Sequence, residues 1–540
     1  MATVAEVVVR CLEQEGVEYV FGVPGEENLD LVDALAASRI RLILTRHEQG
    51  AAFMADVYGR LTGRAGVCLA TLGPGATNLV TGVADANMDH APLVAITGQA
   101  SLDRMHKESH QYLDLVTLFH PITKWNAQIR TPVMTTEAIR KAFKLAQTER
   151  PGATHVDLPE DVARTAVEPG DDRPLFVQYP VLPEPTPAQV ARAARVLDDA
   201  KRPLVLAGHG VARGRASDAL RRFAERTGIP VVTTFMGKGT LPASHPLHVG
   251  AIGIPGDDYI AGALAEEADL VVAVGYDLVE IAPSRWNPRR NQTILHVNAM
   301  PAEVDADYIV AVGLAGDITR ALDELGAAVR PRAAGAFDAL VARARAELGE
   351  EADDPAFPMK PARVVADLRR ALGPDDIVVS DVGVHKLWLG RRYPCERPNT
   401  CIISNGFAAM GIAVPGAVVA KLALPERTVV AATGDGGFLM NSQELETAMR
   451  IGAPIVVVVF DDRTFGLIRY KQERQFGRSA AVDFSNPDFV RYAESFGAKG
   501  YRVESADALL PTLREAIASR TVAVVACPVD YRYNATLARP

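Results

Sequence analysis

Short apolar runs, many of them β-branched, alternate along the whole chain with longer helical stretches. Tyr19–Val23, Leu42–Leu44, Gly66–Ala70 and Leu93–Thr97 are such runs near the start, and Pro203–Ala207, Pro230–Thr234 and Leu270–Val274 lie in the middle. Ile377–Ser380, Thr428–Thr433 and Ile455–Phe460 follow near the end. A strand that is apolar at every position buries both faces, as in a parallel sheet with helices on each side. Runs of this kind, each followed by a helix-length segment, predict an α/β chain of doubly wound parallel sheets.

Punctuation divides the pattern. The stretch 168–187 (EPGDDRPLFVQYPVLPEPTP) is rich in prolines and acids, and 348–361 (LGEEADDPAFPMKP) follows an Ala/Arg-rich helix; both read as linkers. Three domains are expected, over 1–165, 185–340 and 360–540. That agrees with a length of 540 residues, enough for three or four domains of ordinary size. The first and third look alike in plan, each with an early strand, a Gly-rich turn and a helix of small residues. There is no short-period repeat and no low-complexity tract.

Composition narrows the classes. Hydrophobic residues make up 48% and charged residues 23%, the balance of a protein with large buried cores. The net charge of −9 comes from interspersed charges without a basic run, which argues against a nucleic-acid partner and weakly against an anionic membrane surface. Cys11, Cys68, Cys395, Cys401 and Cys527 are dispersed, with no CxxC pair and no interleaved histidines. Reduced thiols and a cytoplasmic location are expected, without a zinc site or a disulfide framework. The first residues run straight into an amphipathic pattern with no signal-peptide design, and no apolar stretch reaches the ~18 residues a membrane span needs.

The chemistry concentrates between Val429 and Gln472. A strand ends in Gly434-Asp435-Gly436-Gly437, a helix is expected over Ser442–Ile451, and a second strand ends in Asp461-Asp462. Asp435 and Asp462 are separated by one βαβ crossover, so both stand at carboxyl ends of parallel strands, where open α/β sheets bind ligands. Magnesium takes a few hard oxygens and completes its shell from a phosphorylated ligand and water. Glycines let backbone N–H groups approach phosphate, and a following helix adds its dipole. A lone Gly-Asp-Gly is usually only a turn; the spacing to Asp462 and the apolar strands around it point to a metal-bridged diphosphate site. A second acid, Glu48, opens the helix after the strand that ends at Thr45. On position alone it does no more than complement the helix dipole.

Together these segments resemble the thiamine-diphosphate enzymes, over essentially the full chain and in the order pyrimidine-binding, central and diphosphate-binding domain. The family signature reads Gly-Asp-Gly and then, after a helix and a strand, Asn-Asn or Asn-Asp; here the pair is Asp461-Asp462. The resemblance implies that Asp435, Asp462 and the backbone carbonyl of Thr464 hold Mg2+. Arg46-His47-Glu48-Gln49-Gly50-Ala51-Ala52, followed by Ala55-Asp56-Val57-Tyr58-Gly59-Arg60, matches the family's glutamate motif, which makes Glu48 the acid that activates the cofactor through its aminopyrimidine ring. Thr71-Leu72-Gly73-Pro74-Gly75-Ala76-Thr77-Asn78 is the turn expected to line the pyrimidine pocket, with Pro74 and Asn78 in contact. Val384 and His385, after Ser380-Asp381, are expected at the phosphates with Gly434, Gly436 and Gly437. Met410 lies where the family keeps a bulky apolar wedge under the cofactor, a device that sets geometry for proton transfer, and Gly406 of the same segment is implied to bind the cofactor. Thr464, Phe465 and Gly466 complete the cofactor-binding set. Family members build each site from two subunits, so a homodimer or homotetramer is implied.

Three stretches are similar to the catabolic, FAD-independent acetolactate synthases. Ser109-His110-Gln111-Tyr112 carries a glutamine, Gln111, implied to face cofactor and substrate. Gly275-Tyr276-Asp277-Leu278-Val279-Glu280 stands where FAD-binding relatives carry Arg-Phe-Asp-Asp-Arg, so FAD is not expected. Toward the C-terminus, Ala481–Ser485, Tyr492–Gly500 and Pro528–Tyr531 are similar to the same enzymes. Gly466-Leu467-Ile468-Arg469-Tyr470-Lys471 departs from their pattern beside the substrate. The implied reaction decarboxylates pyruvate and joins the two-carbon unit to a second pyruvate, giving 2-acetolactate and CO2. Another thiamine-diphosphate carboligase or decarboxylase, using a different 2-keto acid or an aldehyde, stays open. So does a binding protein that retains the fold, although Glu48, Asp435 and Asp462 argue against it. A nicotinamide or flavin enzyme is disfavoured because no strand is followed by GxGxxG with a later acidic partner.

Overall fold

The computed structural model describes residues 1–178, 181–332 and 335–532. Among them stand three six-stranded sheets, in which the strands pair in parallel throughout. The first is built from β1 (Tyr19–Gly22), β2 (Arg41–Leu44), β3 (Gly66–Ala70), β4 (Leu93–Gln99), β5 (Trp125–Gln128) and β6 (Ala153–Pro159). The second holds β7 (Pro203–Ala207), β8 (Val231–Thr234), β9 (His248–Ile252), β10 (Leu270–Val274), β11 (Thr293–Asn298) and β12 (Val310–Ala315). The third holds β13 (Ile377–Ser380), β14 (Cys401–Ile403), β15 (Val429–Gly434), β16 (Val456–Asp461), β17 (Lys499–Arg502) and β18 (Ala523–Pro528).

The central strands are the apolar runs of the sequence. β3, β4, β7 and β10 are buried at every position, so helices on both faces cover them and fix the register. Edge strands are wetter: β2 exposes Arg41 and Leu44, and β5 is half-buried throughout.

Strand order separates the sheets into two designs. The first runs β2-β1-β3-β4-β6-β5 and the third β14-β13-β15-β16-β18-β17, which is the same winding. The second runs β12-β11-β10-β7-β8-β9, the 3-2-1-4-5-6 order of dinucleotide-binding folds read from the other edge. In each sheet the order reverses beside the first strand. These switch points lie between β1 and β3, between β7 and β10, and between β13 and β15.

The chain packs as two compact units. One is drawn from Met1–Pro180, Gly406–Pro425 and Leu439–Ala453, the other from Val181–Asn405, Glu426–Phe438 and Pro454–Pro540. All five cysteines are buried and free. Among the described residues no helix is long and apolar enough to cross a membrane.

One local expectation changes. The Gly-Asp-Gly-Gly segment is no turn ahead of a distant helix: helix Asp435–Asn441 starts at the aspartate, and a second helix, Glu444–Ile451, follows it. An acid at the first position of a helix offsets the glycines' poor helix propensity through the dipole.

Candidate active site

In the first unit, helix Glu48–Thr62 starts where His47, its N-cap, accepts a hydrogen bond from the Gln49 N–H at 3.0 Å. That start aims Glu48 toward the next helix, Pro74–Met88, whose Pro74 fills the first position, where an N–H would go unused. Asn78 Nδ2 donates to Glu48 Oε2 at 2.9 Å. A Cβ on Gly75 would stand 3.4 Å from Glu48 Oε1, so the glutamate lies along the Gly-Pro-Gly turn. Gly73 has φ +50, and a Cβ there would strike the Gln111 carbonyl at 2.6 Å. The structure thus brings Glu48, Pro74, Asn78 and Gln111 to one place. Gln111 itself is exposed and left-handed, with φ 57.

Three residues that sequence reasoning passed over, Glu444, Asp85 and Asp89, support this corner. Glu444 accepts the Arg46 N–H at 3.0 Å and the Thr447 hydroxyl at 2.6 Å, bracing the segment that leads into Glu48. Burial pushes its carboxyl up to about 7. Gly50 is required opposite it, since a Cβ would fall 2.6 Å from Glu444 Oε1. The turn carrying Gly406 and Met410 is tethered to helix Pro74–Met88 and the residue after it. Asp89 accepts the Gly406 N–H at 2.5 Å and Asp85 the Ala409 N–H at 3.3 Å. Arg60 ties both aspartates to Asp56 in a cluster 0–2% exposed. Met410 is half-buried on that turn.

In the second unit the acids meet at the ends of β15 and β16. Asp435 Oδ2 accepts the N–H groups of Asp462 (3.2 Å) and Arg463 (2.6 Å) and Asn486 Nδ2 (2.7 Å). Asn486 also donates to Asp461 Oδ1 at 2.8 Å. Burial, and then the charge of Asp435, pushes Asp462 up to about 8; burial also raises Asp435. A buried Asp435 beside a half-buried Asp462 that its charge raises makes a place where a divalent cation is favoured.

The surroundings are fitted closely. Cβ atoms on Gly436 and Gly437 would stand 2.7 Å from the Phe465 ring and 2.6 Å from Asp381 Oδ1. Gly434 and Gly383 lie against the His385 imidazole. Burial pushes the His385 ring far below its ordinary value, so it is neutral. Val384 Cγ2 and Asp462 Oδ2 flank Gly466, at 3.3 and 3.1 Å from its would-be Cβ. The Thr464 carbonyl accepts the Gly466 N–H at 2.9 Å, and its hydroxyl donates to the Val482 carbonyl. An open cleft of about 1260 Å3 runs past Asp462, Thr464 and Gly466 to Arg469, Tyr470 and Tyr531.

A metal and a diphosphate fit these residues. His385 Nε2, Asn486 Oδ1 and the Tyr531 hydroxyl are buried polar atoms without a hydrogen-bond partner among the described residues, and each neighbours the paired aspartates or their glycine turn. Such atoms call for a polar partner, whether water, an ion or a ligand. Asn486 carries no sequence signal, and Tyr531 stands in the sequence only as the end of the Pro528–Tyr531 stretch, with no role implied for it. They reach the site from 24 and 69 residues beyond Asp462.

The chain matches three family profiles. They are described as thiamine pyrophosphate enzyme N-terminal TPP binding domain (residues 2–118), central domain (190–325) and C-terminal TPP binding domain (381–527). It is 37% identical to an acetolactate synthase of Bacillus subtilis, covering 99% of this chain and 94% of the relative. It is 36% identical to a catabolic acetolactate synthase of Raoultella terrigena, over 99% and 96%. Identity to a probable acetolactate synthase large subunit of Methanocaldococcus jannaschii is 38%, over 95% and 90%. With three thiamine-type domains in order and full-length relatives of this similarity, the chain belongs to the acetolactate synthase family of thiamine-diphosphate enzymes.

Proposed function

We propose that the protein converts two molecules of pyruvate to 2-acetolactate and CO2, without FAD. The observation that carries this reading is the coexistence of the Glu48–Asn78 pair with the Asp435–Asp462 pair in a chain so similar, end to end, to acetolactate synthases. Thiamine diphosphate, when bound, supplies the electron sink that lets a 2-keto acid lose its carboxylate. Asp435 and Asp462, with the Thr464 carbonyl, hold Mg2+ against the diphosphate. His385, Val384 and the Gly434–Gly437 turn line the phosphates. Glu48, oriented by Asn78, holds a proton at the pyrimidine ring, beside Pro74 and Gln111. Met410 would support the bound cofactor, and the Phe465 ring lies against the Gly436 turn. Gln111 faces the substrate.

Glu48 and the aspartate pair belong to different compact units. By the family resemblance, a second copy of the chain completes each site, as a homodimer or homotetramer. Light scattering on purified protein gives the assembly size. The Gly275–Glu280 segment, in place of Arg-Phe-Asp-Asp-Arg, supports the flavin-free assignment.

A second reading has its own support. Gly466-Leu467-Ile468-Arg469-Tyr470-Lys471 borders the cleft and departs from the catabolic pattern, which favours a carboligase with a different acceptor. Incubation with pyruvate, thiamine diphosphate and Mg2+, followed by acid treatment and the colour reaction for acetoin, decides between them. CO2 release without colour would refute acetolactate synthesis.

A further inference from the structure

The central sheet has the winding of a dinucleotide-binding fold, and its switch point lies between β7 and β10. The two strands are in register, Val274 opposite Ala207, so their following turns leave the sheet side by side. After β7 the chain reads Gly208-His209-Gly210; after β10 it reads Gly275-Tyr276-Asp277. Gly210 N–H donates to the Gly275 carbonyl at 2.8 Å, an approach that leaves no room for side chains. In doubly wound sheets this crevice, floored by backbone N–H groups, is where a phosphate-bearing ligand is taken.

Here the crevice holds a side chain of the protein itself. Both carboxyl oxygens of Glu280 accept the His209 N–H, at 3.1 and 3.0 Å. Oε1 also accepts the Asp277 N–H at 3.0 Å, and Oε2 the Thr234 hydroxyl at 2.5 Å. Thr234 is fixed in turn by the Gly237 N–H at 2.9 Å. Donors from the end of β8 and from the turns after β7 and β10 thus converge on one carboxyl group, of a residue that is 4% exposed. Gly208 is required for it, because a Cβ there would fall 2.5 Å from Oε1. The Glu280 carbonyl accepts Asn405 Nδ2 at 2.5 Å, which anchors the segment from behind.

We infer that Glu280 occupies the phosphate position of the central domain's nucleotide crevice and is the residue that closes that domain to nucleotides. It uses the N–H and hydroxyl donors that a diphosphate would need and fills the space between the β7 and β10 turns. This inference deepens the flavin-free part of the proposed function and is independent of which 2-keto acid is used.

The test titrates ADP, and separately FAD, into protein saturated with thiamine diphosphate and Mg2+, so that the cofactor site is filled. Calorimetry reads affinity, and hydrogen exchange over residues 208–214 reads the location. Wild type is expected to show no protection of that segment. E280A, folded by its melting profile, is expected to bind ADP at least tenfold more tightly than wild type and to protect the segment; E280Q, which fills the same volume, stays like wild type. Should E280A not fold, E280S takes its place. Nucleotide binding by wild type with protection of 208–214 overturns the inference, and so does a folded E280A or E280S that gains nothing. Acetolactate formation without added FAD is measured in the same preparations. Loss of that activity counts against the proposed function and leaves the nucleotide result to stand by itself.

Discussion

Asn78 Nδ2 and Glu48 Oε2 are joined by a 2.9 Å hydrogen bond that links the first residue of one helix to the fifth of the next. The amide spends one of its donors on the carboxylate and so fixes which oxygen is left for a ligand. Glu48→Gln keeps the shape and removes the ionisable group. Turnover of pyruvate is expected to fall by roughly 10²–10⁴-fold, the range for a positioned acid or base, with the melting temperature unchanged. Asn78→Ala is expected to lose about tenfold, because it removes an orienting contact only. Near-normal rates in Glu48→Gln would refute the activating role.

The aspartates are not equivalent. Asp435 is buried and gathers four N–H donors across its two oxygens, one of them from Gly436 at 2.8 Å, whereas the half-buried Asp462 is raised by the charge of Asp435. Asp435→Asn is expected to raise the Mg2+ and thiamine diphosphate concentrations for half-saturation on the order of 100-fold. Asp462→Asn keeps a hard oxygen and relieves the repulsion, so less than about a tenfold change is expected. Titration followed by intrinsic fluorescence, before and after chelation with EDTA, measures both.

Met410 rides on a turn fastened by Asp85 and Asp89. Met410→Ala is expected to reduce kcat by roughly 10²-fold, as misplacement of reacting groups does, with a smaller change in cofactor affinity. An equal loss in both would assign the side chain to binding alone.

Glu444 supplies a pH signature. Its folded pKa of about 7 lies above the ordinary 4.5, because burial penalises the charged form. A raised carboxyl favours the folded state fully below about 4.5, and that advantage is lost as the pH rises through about 7. A glutamine in its place would not titrate. The melting temperature of Glu444→Gln, relative to wild type, is therefore expected to climb from pH 5 to about 7.5 and then level off. A difference that is flat across this window would show that Glu444 is already ionised well below neutrality.

What the sequence made legible follows from burial. Gly66–Ala70, Pro203–Ala207, Leu270–Val274 and Ile377–Ser380 are strands with the bounds their apolar runs predict, because strands covered on both faces leave no polar position to blur them. Glu48 as a helix start was equally readable. The helix at Asp435 was obscured by glycines, which read locally as a turn. Asn486 and Glu444 were invisible, and Tyr531 was legible only as part of a resemblance, because only tertiary packing brings them to the two corners, and no local spacing records it. The same applies to Glu280: Gly275–Glu280 was informative as a resemblance, but its place among the ends of three strands is a property of the sheet.

The first compact unit takes in Gly406–Pro425 and Leu439–Ala453 as well as the amino-terminal stretch. A ribosome making this chain therefore releases the last piece of that unit only after most of the polypeptide has emerged. At ordinary elongation rates that lag is on the order of tens of seconds, during which the N-terminal sheet waits with part of its cover missing. Fragments that stop after the first linker are expected to be poor independent folders. Heterologous production is expected to respond to slower synthesis at low temperature or to extra chaperone more than to changes at the catalytic residues.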